Sequence, residues 1–128
     1  MIVLPLQPAE NQSPAALRAF VEQCQATAKQ RGRAQLVSIS LAVEALDPLA
    51  VLESIFEPGE PHFYAEQPNA ETAIAGAEVA IQFAAAGEGR FAAVRQWISD
   101  TLDNAIAVGD VAAPFGGPHF FAAFAFAD

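Results

Sequence analysis

The sequence predicts an α+β fold with a mainly antiparallel sheet and about three helices. Apolar residues recur at three- and four-residue steps in three stretches, a spacing typical of amphipathic helices. In other stretches they alternate with small or polar residues at a period of two, which is typical of strands. The predicted order is β-α-β-α-β-β-α-β. Because the two middle strands are separated by a short break, they are expected to pair as a hairpin.

The amino-terminal part predicts a weak strand followed by a well-marked helix. Residues 1–6 form an apolar run that contains Pro5, which favours a sheet edge because proline cannot donate to a ladder. Ser13 and Pro14 are a good helix start, and Gly32 is a good helix end. The apolar stripe of this helix consists of Leu17, Phe20, Val21, Cys24 and Ala28.

The next stretch predicts a strand buried on one face and then a short helix. From Leu36 to Leu46 apolar and polar residues alternate, so one face of the strand is apolar. Asp47 and Pro48 repeat the cap-and-proline signal, and Pro58-Gly59 ends the helix that follows. The apolar residues of this helix are Leu49, Val51, Leu52, Ile55 and Phe56.

Two strands are predicted in the middle of the chain. The first runs from His62 to Glu66 and ends at Pro68-Asn69. The second runs from Ala73 to Ala86, but its apolar residues change from even to odd positions along the way. Gly76 lies near that change, so a β-bulge is expected there.

The carboxyl-terminal part predicts a helix and a final strand. After the turn at residues 87–89, an apolar helix face is formed by Phe91, Val94, Ile98 and Leu102 and widened by Trp97 and Ala105. A Pro- and Gly-rich loop at residues 114–118 follows. In residues 119–128, HFFAAFAFAD, one face carries three phenylalanines and the other is mostly alanine, which predicts a strand packed closely against another layer.

Composition excludes several classes of function. The chain has 128 residues, 6 basic and 15 acidic, for a formal charge of −9, so no phosphate-binding patch is expected and nucleic acid is excluded as a partner. Cys24 is the only cysteine, which excludes a disulfide framework and favours a reducing, cytoplasmic location. The amino-terminal apolar run lacks a basic leader and is too short to span a bilayer, so no membrane partner is expected.

The densest cluster of possible metal ligands is formed by Glu57, Glu60, His62 and Glu66. A metal requires several such groups to converge. Here the prolines and glycine between them indicate a turn that leads into a strand, where side chains diverge. A solvated acidic rim is therefore the preferred interpretation.

Four other features have both a functional and a structural interpretation. His119 is a general base only if a carboxylate orients it, and otherwise lies at a strand edge. The GEGR turn at residues 87–90 opens a helix but lacks the spacing of a phosphate loop. Arg95 either extends its stem along the apolar face or pairs with a carboxylate outside this chain. Two sets of alanines line a cleft or permit close packing, and packing is preferred: Ala73, Ala75 and Ala77, and Ala123, Ala125 and Ala127.

Four stretches in order resemble isochorismate synthases, which are chorismate-utilising enzymes. LVSISLAVEALDPLAVLESI resembles their strand and Asp-Pro-Leu helix, and HFYAEQP resembles their aromatic strand ending in Glu-x-Pro. AIAGAEVAIQF resembles the glycine-containing strand that follows, and GPHFFAAFAFAD resembles a Phe-Gly-Gly-Phe-Ala-Phe-Asp strand. The resemblance covers Leu36 to Asp128. Departures are Ala65 at a tryptophan position, Ala77 beside Gly76, and Ala122-Ala123 in place of paired glycines.

This resemblance implies conversion of chorismate to isochorismate with Mg²⁺, on a route to menaquinone, phylloquinone or a siderophore. In that family the catalytic lysine, the metal-binding glutamates and the chorismate-binding residues lie further along the chain. No catalytic, cofactor-binding or metal-binding residue is therefore assigned within residues 1–128. The chain is expected to be one domain, or the amino-terminal part of a larger chorismate-utilising domain, and to be inactive when isolated.

Two partners follow from this expectation. One is the missing carboxyl-terminal half of the parent enzyme, because the sequence ends just after an apolar strand. The other is a second copy of the chain, since its hydrophobic fraction of 53% is high for a small free-standing domain. The alternative is a self-sufficient α+β binding module that dimerises or holds a protein partner. A reading frame that stops after Asp128 would favour the module, and a longer one would favour the fragment.

Overall fold

The computed structural model describes residues 1–4, 13–109 and 111–126, which divide into two compact units. The larger unit comprises Met1–Ala42 and Ala85–Asp128, and the smaller unit comprises Val43–Ala84. The elements in chain order are β1 (Ile2–Leu4), α1 (Pro14–Arg31), β2 (Val37–Ser40), α2 (Pro48–Ile55), β3 (His62–Gln67), β4 (Thr72–Ala77), α3 (Arg90–Asp103) and β5 (Ile106–Gly109). A single 3₁₀ turn, Pro68–Ala70, joins β3 to β4.

The larger unit is built on a parallel three-stranded sheet in the order β1-β5-β2. Ile106 in β5 is paired with Ile2 on one side and with Val37 on the other. Ala107, the next residue, is fully buried. The strand in the middle of this sheet is therefore the one that comes last in the chain.

The core of the larger unit lies where β5 meets α1. Cys24 of α1 clusters with Ile106 and Val108 of β5, and Phe20 and Val37 pack against this cluster. Phe20 and Cys24 are one helical turn apart, so both side chains project from the predicted apolar stripe of α1. This stripe is what attaches α1 to the sheet.

The smaller unit is an antiparallel hairpin with a helix against it. The strands β3 and β4 pair without interruption from His62 opposite Ala77 to Gln67 opposite Thr72. Helix α2 packs against β4. The ring of Phe56, just after α2, lies 4.7 Å from the ring of His62, measured between centroids. Because opposite residues share a face, α2 covers the face that carries the alanines of β4.

Both predicted helix caps are confirmed. The Ser13 hydroxyl accepts a hydrogen bond from the backbone N–H of Ala16 at 3.2 Å, and Gly32 ends α1 in the left-handed conformation. Asp47 Oδ1 accepts the N–H of Leu49 at 2.9 Å and that of Ala50 at 3.4 Å. These acceptors satisfy donors that the first turn of a helix leaves unpaired.

The α+β class and the three α-helices are confirmed, but the expectation of a mainly antiparallel sheet is wrong. The larger sheet is entirely parallel, and only β3 and β4 are antiparallel. The error arises from β5 (Ile106–Gly109), for which the sequence analysis predicted no strand. Every residue from Ala105 to Val108 is buried, so this stretch has no polar alternation to indicate a strand.

Two other strand predictions are wrong in extent, and the predicted bulge at Gly76 is also wrong. β2 ends at Ser40 and β4 ends at Ala77, well before the predicted ends at Leu46 and Ala86. Gly76 is paired regularly with Phe63, so there is no bulge at that glycine. The change of parity comes instead from Glu78, whose φ of 61° turns the chain.

The predicted final strand is also not observed in the described residues. Residues 119–126 form no strand, and Ala127 and Asp128 lie outside the described part of the chain. The predicted edge strand at residues 1–6 is confirmed for Ile2–Leu4, and Pro5 lies outside the described residues. No helix in the described ranges is long and apolar enough to cross a bilayer.

Replacement of Ile106 by alanine tests the position of the core. Ile106 is 9% exposed in the middle strand, so Ile106→Ala is expected to lower the free energy of unfolding by about 2–5 kcal/mol through lost burial and cavity formation. Urea denaturation followed by circular dichroism measures this change. Val43→Ala is the control, since Val43 is 71% exposed. Equal effects of the two substitutions would contradict the assignment of the core.

Replacement of Asp47 by alanine tests the cap of α2. Asp47→Ala is expected to lower the free energy of unfolding by about 1 kcal/mol, because two backbone N–H groups lose their acceptor. Glu53→Ala in the same helix is the matched control, as Glu53 is exposed and lies outside the first turn. Denaturation curves in which Glu53→Ala is the more destabilising change would exclude a capping role for Asp47.

Candidate functional site

The acidic stretch that contains Glu57, Glu60, His62 and Glu66 lies in the smaller unit, on a turn and the strand that follows it. Glu60 Oε2 accepts the backbone N–H of Glu57 at 3.3 Å. His62 Nδ1 lies 3.1 Å from the carbonyl oxygen of Glu60. Both contacts are local, since they join residues two or three positions apart in the chain.

No group of three or more His, Cys, Asp or Glu side chains in the described parts of the chain is arranged to hold a metal ion. A divalent cation such as Mg²⁺ prefers several oxygen ligands that converge on one point. The described residues therefore do not fit the metal that the isochorismate synthase resemblance implies.

A surface cleft lies beside this turn in the smaller unit. It is lined by Glu60, Pro61 and residues 78–82. Glu78 is in the left-handed conformation with φ of 61°, which is uncommon for a residue other than glycine. The cleft offers two carboxylates and the Gln82 amide, but no basic residue and no nucleophile. It has no evident means of binding an anionic substrate.

Tyr64 is the residue of this unit with the most perturbed electrostatics. Its hydroxyl donates a hydrogen bond to Glu66 Oε2 at 3.0 Å. Partial desolvation, this hydrogen bond, and the negative charges of Glu66 and Asp47 all raise the pKa of the Tyr64 hydroxyl, because each disfavours the phenolate. Tyr64 therefore stays protonated and acts as a donor rather than as a base.

Sequence reasoning did not single out Tyr64. The available signal was the spacing, since residues two apart on a strand share a face and Tyr64 and Glu66 are such a pair. The effect of Asp47 on the pKa of Tyr64 could not be predicted from the sequence, because it depends on how α2 packs on the hairpin.

In the larger unit, His119 has no catalytic arrangement among the described residues. Its Nδ1 lies 3.0 Å from the carbonyl oxygen of Gly117, and its ring centroid is 5.9 Å from that of Phe115. None of the described carboxylates hydrogen-bonds to the ring. The backbone N–H of Gly117, two residues before His119, donates a hydrogen bond to Ser40 Oγ at 2.9 Å.

The turn at residues 87–90 is closed by its own arginine. Arg90 Nη1 donates to the carbonyl oxygen of Gly87 at 3.0 Å, and Nη2 donates to that of Ala125 at 3.4 Å. The guanidinium carbon also lies 4.9 Å from the centroid of the Phe91 ring. These contacts connect the start of α3 to residues near the end of the chain, so Arg90 has a structural role here.

The remaining candidates are placed as follows. Arg95 is exposed on α3. Cys24 is buried and desolvation raises the pKa of its thiol, which disfavours the reactive thiolate. Ala123 and Ala125 are exposed, and Ala127 lies outside the described residues. The structure brings no two of these groups together into a reactive set.

A model of one protein family matches residues 19–128, and that family is described as chorismate binding enzyme. The chain belongs to the chorismate-binding enzyme family. The predicted membership of the chorismate-utilising group is thus confirmed, and the match covers both structural units. No curated protein and no solved structure matches the chain significantly.

The pKa of Tyr64 in this chorismate-binding family member is directly measurable, because the sequence has one tyrosine. Glu66→Gln is expected to lower the pKa of Tyr64, since it removes a negative charge and a charged acceptor beside the hydroxyl. Tyrosinate absorbance in a pH titration measures the shift. Glu57→Gln removes a carboxylate that does not act on Tyr64 and is the control. A pKa that rises or stays constant in Glu66→Gln would contradict the described contact.

Proposed function

We propose that this chain is the amino-terminal structural segment of an isochorismate synthase and that it does not convert chorismate when isolated. The observation that carries the proposal is the combination of family membership over residues 19–128 with a small core and a large apolar surface. Six apolar residues are buried in the described part of the chain, whereas eighteen large apolar side chains are exposed. A self-contained enzyme of this size would normally bury most of such residues.

The total surface supports the same proposal. The accessible surface of the chain is 9698 Å² for a mass of 13.5 kDa. A folded monomer of this mass exposes about 6,500 Å². Eighteen exposed large apolar side chains contribute to this surface, and exposed apolar surface is suited to burial against further protein.

The specific reaction is proposed from the resemblance to isochorismate synthases between Leu36 and Asp128. Parts of three of the four resembling stretches form strands or a helix. LVSIS contains β2, DPLAVLESI is α2 with its Asp47 cap, and HFYAEQ is β3. These stretches form pairing strands and a capped helix, which suits a segment that supports a site rather than one that contains it.

Electrostatics also favour inactivity of the isolated chain. Chorismate has two carboxylates, and a site for them requires arginine, lysine or helix-end donors. The chain has 6 basic residues against 15 acidic ones, and its charge of −9 repels an anion. Arg90 is already engaged with two carbonyl oxygens of the chain itself.

Mg²⁺ and the residues that activate water are proposed to belong to other parts of the parent enzyme. The described residues contain no ligand set for the ion, as shown above. What this segment would contribute is rigidity: the parallel sheet of the larger unit and the hairpin of the smaller unit provide fixed elements against which a site is positioned.

An assay of the purified chain tests this proposal. With chorismate and Mg²⁺, the isochorismate formed is expected to equal that of a no-protein control, because the residues that the structure describes include no ligand set for the metal and no basic site for the substrate carboxylates. Chromatographic separation of the two isomers is the measurement, and an authentic isochorismate synthase serves as the positive control. Turnover that increases in proportion to the concentration of the chain would refute the proposal.

A binding module is the second candidate, and the exposed apolar side chains favour it as well. Under this alternative the chain uses its apolar surface for a protein partner and has no catalytic parent. A reading frame that continues past Asp128 with the metal-binding glutamates of the family would exclude this alternative. An absence of activity does not by itself distinguish the two candidates, since both predict an inactive chain.

A further inference from the structure

One side of helix α2 exposes an apolar strip. Leu52 is buried at 5% exposure, whereas Val51 and Ile55 are 38% and 59% exposed. Because these two residues are four positions apart, they project from the same side of the helix. Leu46, just before the Asp47 cap, is 51% exposed, and a residue at that position characteristically lies beside the fourth helical residue, which here is Val51. Leu46, Val51 and Ile55 are here called the α2 strip.

The smaller unit carries nearly all of the net negative charge of the chain. Residues 43–84 include eight of the 15 acidic residues and none of the 6 lysines and arginines. Their formal charge is therefore −8 out of −9. Glu44 lies two residues before the α2 strip and Glu57 two residues after it, and both are exposed. The strip is thus bounded along the chain by carboxylates, and the unit has no lysine or arginine to neutralise them.

This charge discriminates between possible occupants of the α2 strip. A second copy that presented the same unit would bring −8 against −8 and is repelled. Nucleic acid and anionic lipid are repelled for the same reason. A protein segment with Lys or Arg beside apolar residues is instead complementary, because its apolar side chains cover the strip and its charges meet the carboxylates of Glu44 and Glu57.

The shape of the α2 strip fits a helix. Residues one turn apart form a ridge, and such a ridge packs into the groove between side chains of a second helix. A partner helix with apolar residues at three- and four-residue steps therefore covers Val51 and Ile55. Since α2 has eight residues and is about 12 Å long, basic residues one or two turns along the partner reach its ends. Apolar burial supplies affinity, and the charges supply orientation and a faster association rate.

We propose that the α2 strip is a docking surface for a basic amphipathic helix of another protein. One short helix offers an interface at the low end of the usual size range, so the complex is transient. The proposal does not depend on the reaction of the parent enzyme, and the outcome of the chorismate assay leaves it unaffected.

Synthetic peptides test the chemistry of the partner. The probe is a fluorescein-labelled amphipathic helix of Leu and Lys, and two analogues carry Gln or Glu in place of every Lys. Fluorescence anisotropy is expected to show that the Lys peptide binds about tenfold more tightly than the Gln peptide, that added salt weakens this binding, and that the Glu peptide does not bind. Equal affinities of the Lys and Gln peptides would overturn the proposal, because charge would then not select the partner.

Apolar substitutions test the location of docking. Ile55→Ser is expected to weaken binding of the Lys peptide about fivefold, through loss of apolar contact. Val21→Ser is the matched control, since Val21 is 48% exposed on α1 in the larger unit, and it is expected to change the affinity less than about twofold. Circular dichroism verifies that both variants are folded. Equal losses in the two variants contradict the assignment of the surface.

Charge reversals separate local docking from general attraction to an acidic chain. Glu44→Lys with Glu57→Lys is expected to abolish detectable binding of the Lys peptide. Glu22→Lys with Glu88→Lys changes the net charge by the same amount at exposed positions of the larger unit and is expected to retain binding. Equal effects of the two double variants would show that the peptide responds only to net charge, which also overturns the proposal.

A longer chain tests the source of the helix. If the reading frame continues past Asp128, its full product is expected to bind the Lys peptide as tightly as the 128-residue chain does, because the partner is another protein. Loss of binding in the longer product would show that its own continuation covers the α2 strip and would contradict the proposal. Activity of that product toward chorismate is measured separately, so the two proposals fail independently.

Discussion

The larger unit depends on the burial of one four-residue strand. β1 and β2 are each paired with β5 and not with each other, so the three-stranded sheet exists only if β5 lies between them. Its register is set at one end, where the Ile2 N–H donates to the Ala105 carbonyl oxygen at 3.0 Å and the Ile106 N–H donates to that of Leu36 at 2.9 Å. The Gln35 side chain bonds to the Asn104 carbonyl oxygen at the same end. Because α3 ends at Asp103, β5 follows the helix almost directly and enters the sheet at this end.

The smaller unit requires a helix in addition to its hairpin, because a two-stranded hairpin alone is marginally stable in water. Leu52 of α2 is 5% exposed and is the buried side chain of this unit. Alanines on β4 allow the helix to approach closely, and the Asp47 cap stabilises the start of that helix. The unit therefore consists of one helix and one hairpin that share a small apolar contact at Leu52.

The sequence predicted the helices well and the strands less well, for physical reasons. Helix signals are local: Ser13 and Asp47 bond to residues two or three positions away, and the apolar stripe of α1 lies within one element. Strand signals depend on distant neighbours. Ala105–Val108 is buried on both faces and so shows no alternation, whereas residues 119–126 alternate clearly and have no ladder in the described structure. The candidate site is an exception to this rule, because the Glu57–Glu60 and His62–Glu60 contacts are local and yet were not predicted from the sequence.

Membership of the chorismate-binding enzyme family does not fix the reaction, since one fold supports several chemistries through differences in its site. Of the stretches that resemble isochorismate synthases, those at β2, α2, β3 and β4 form strands and a helix, whereas residues 119–126 form no regular element.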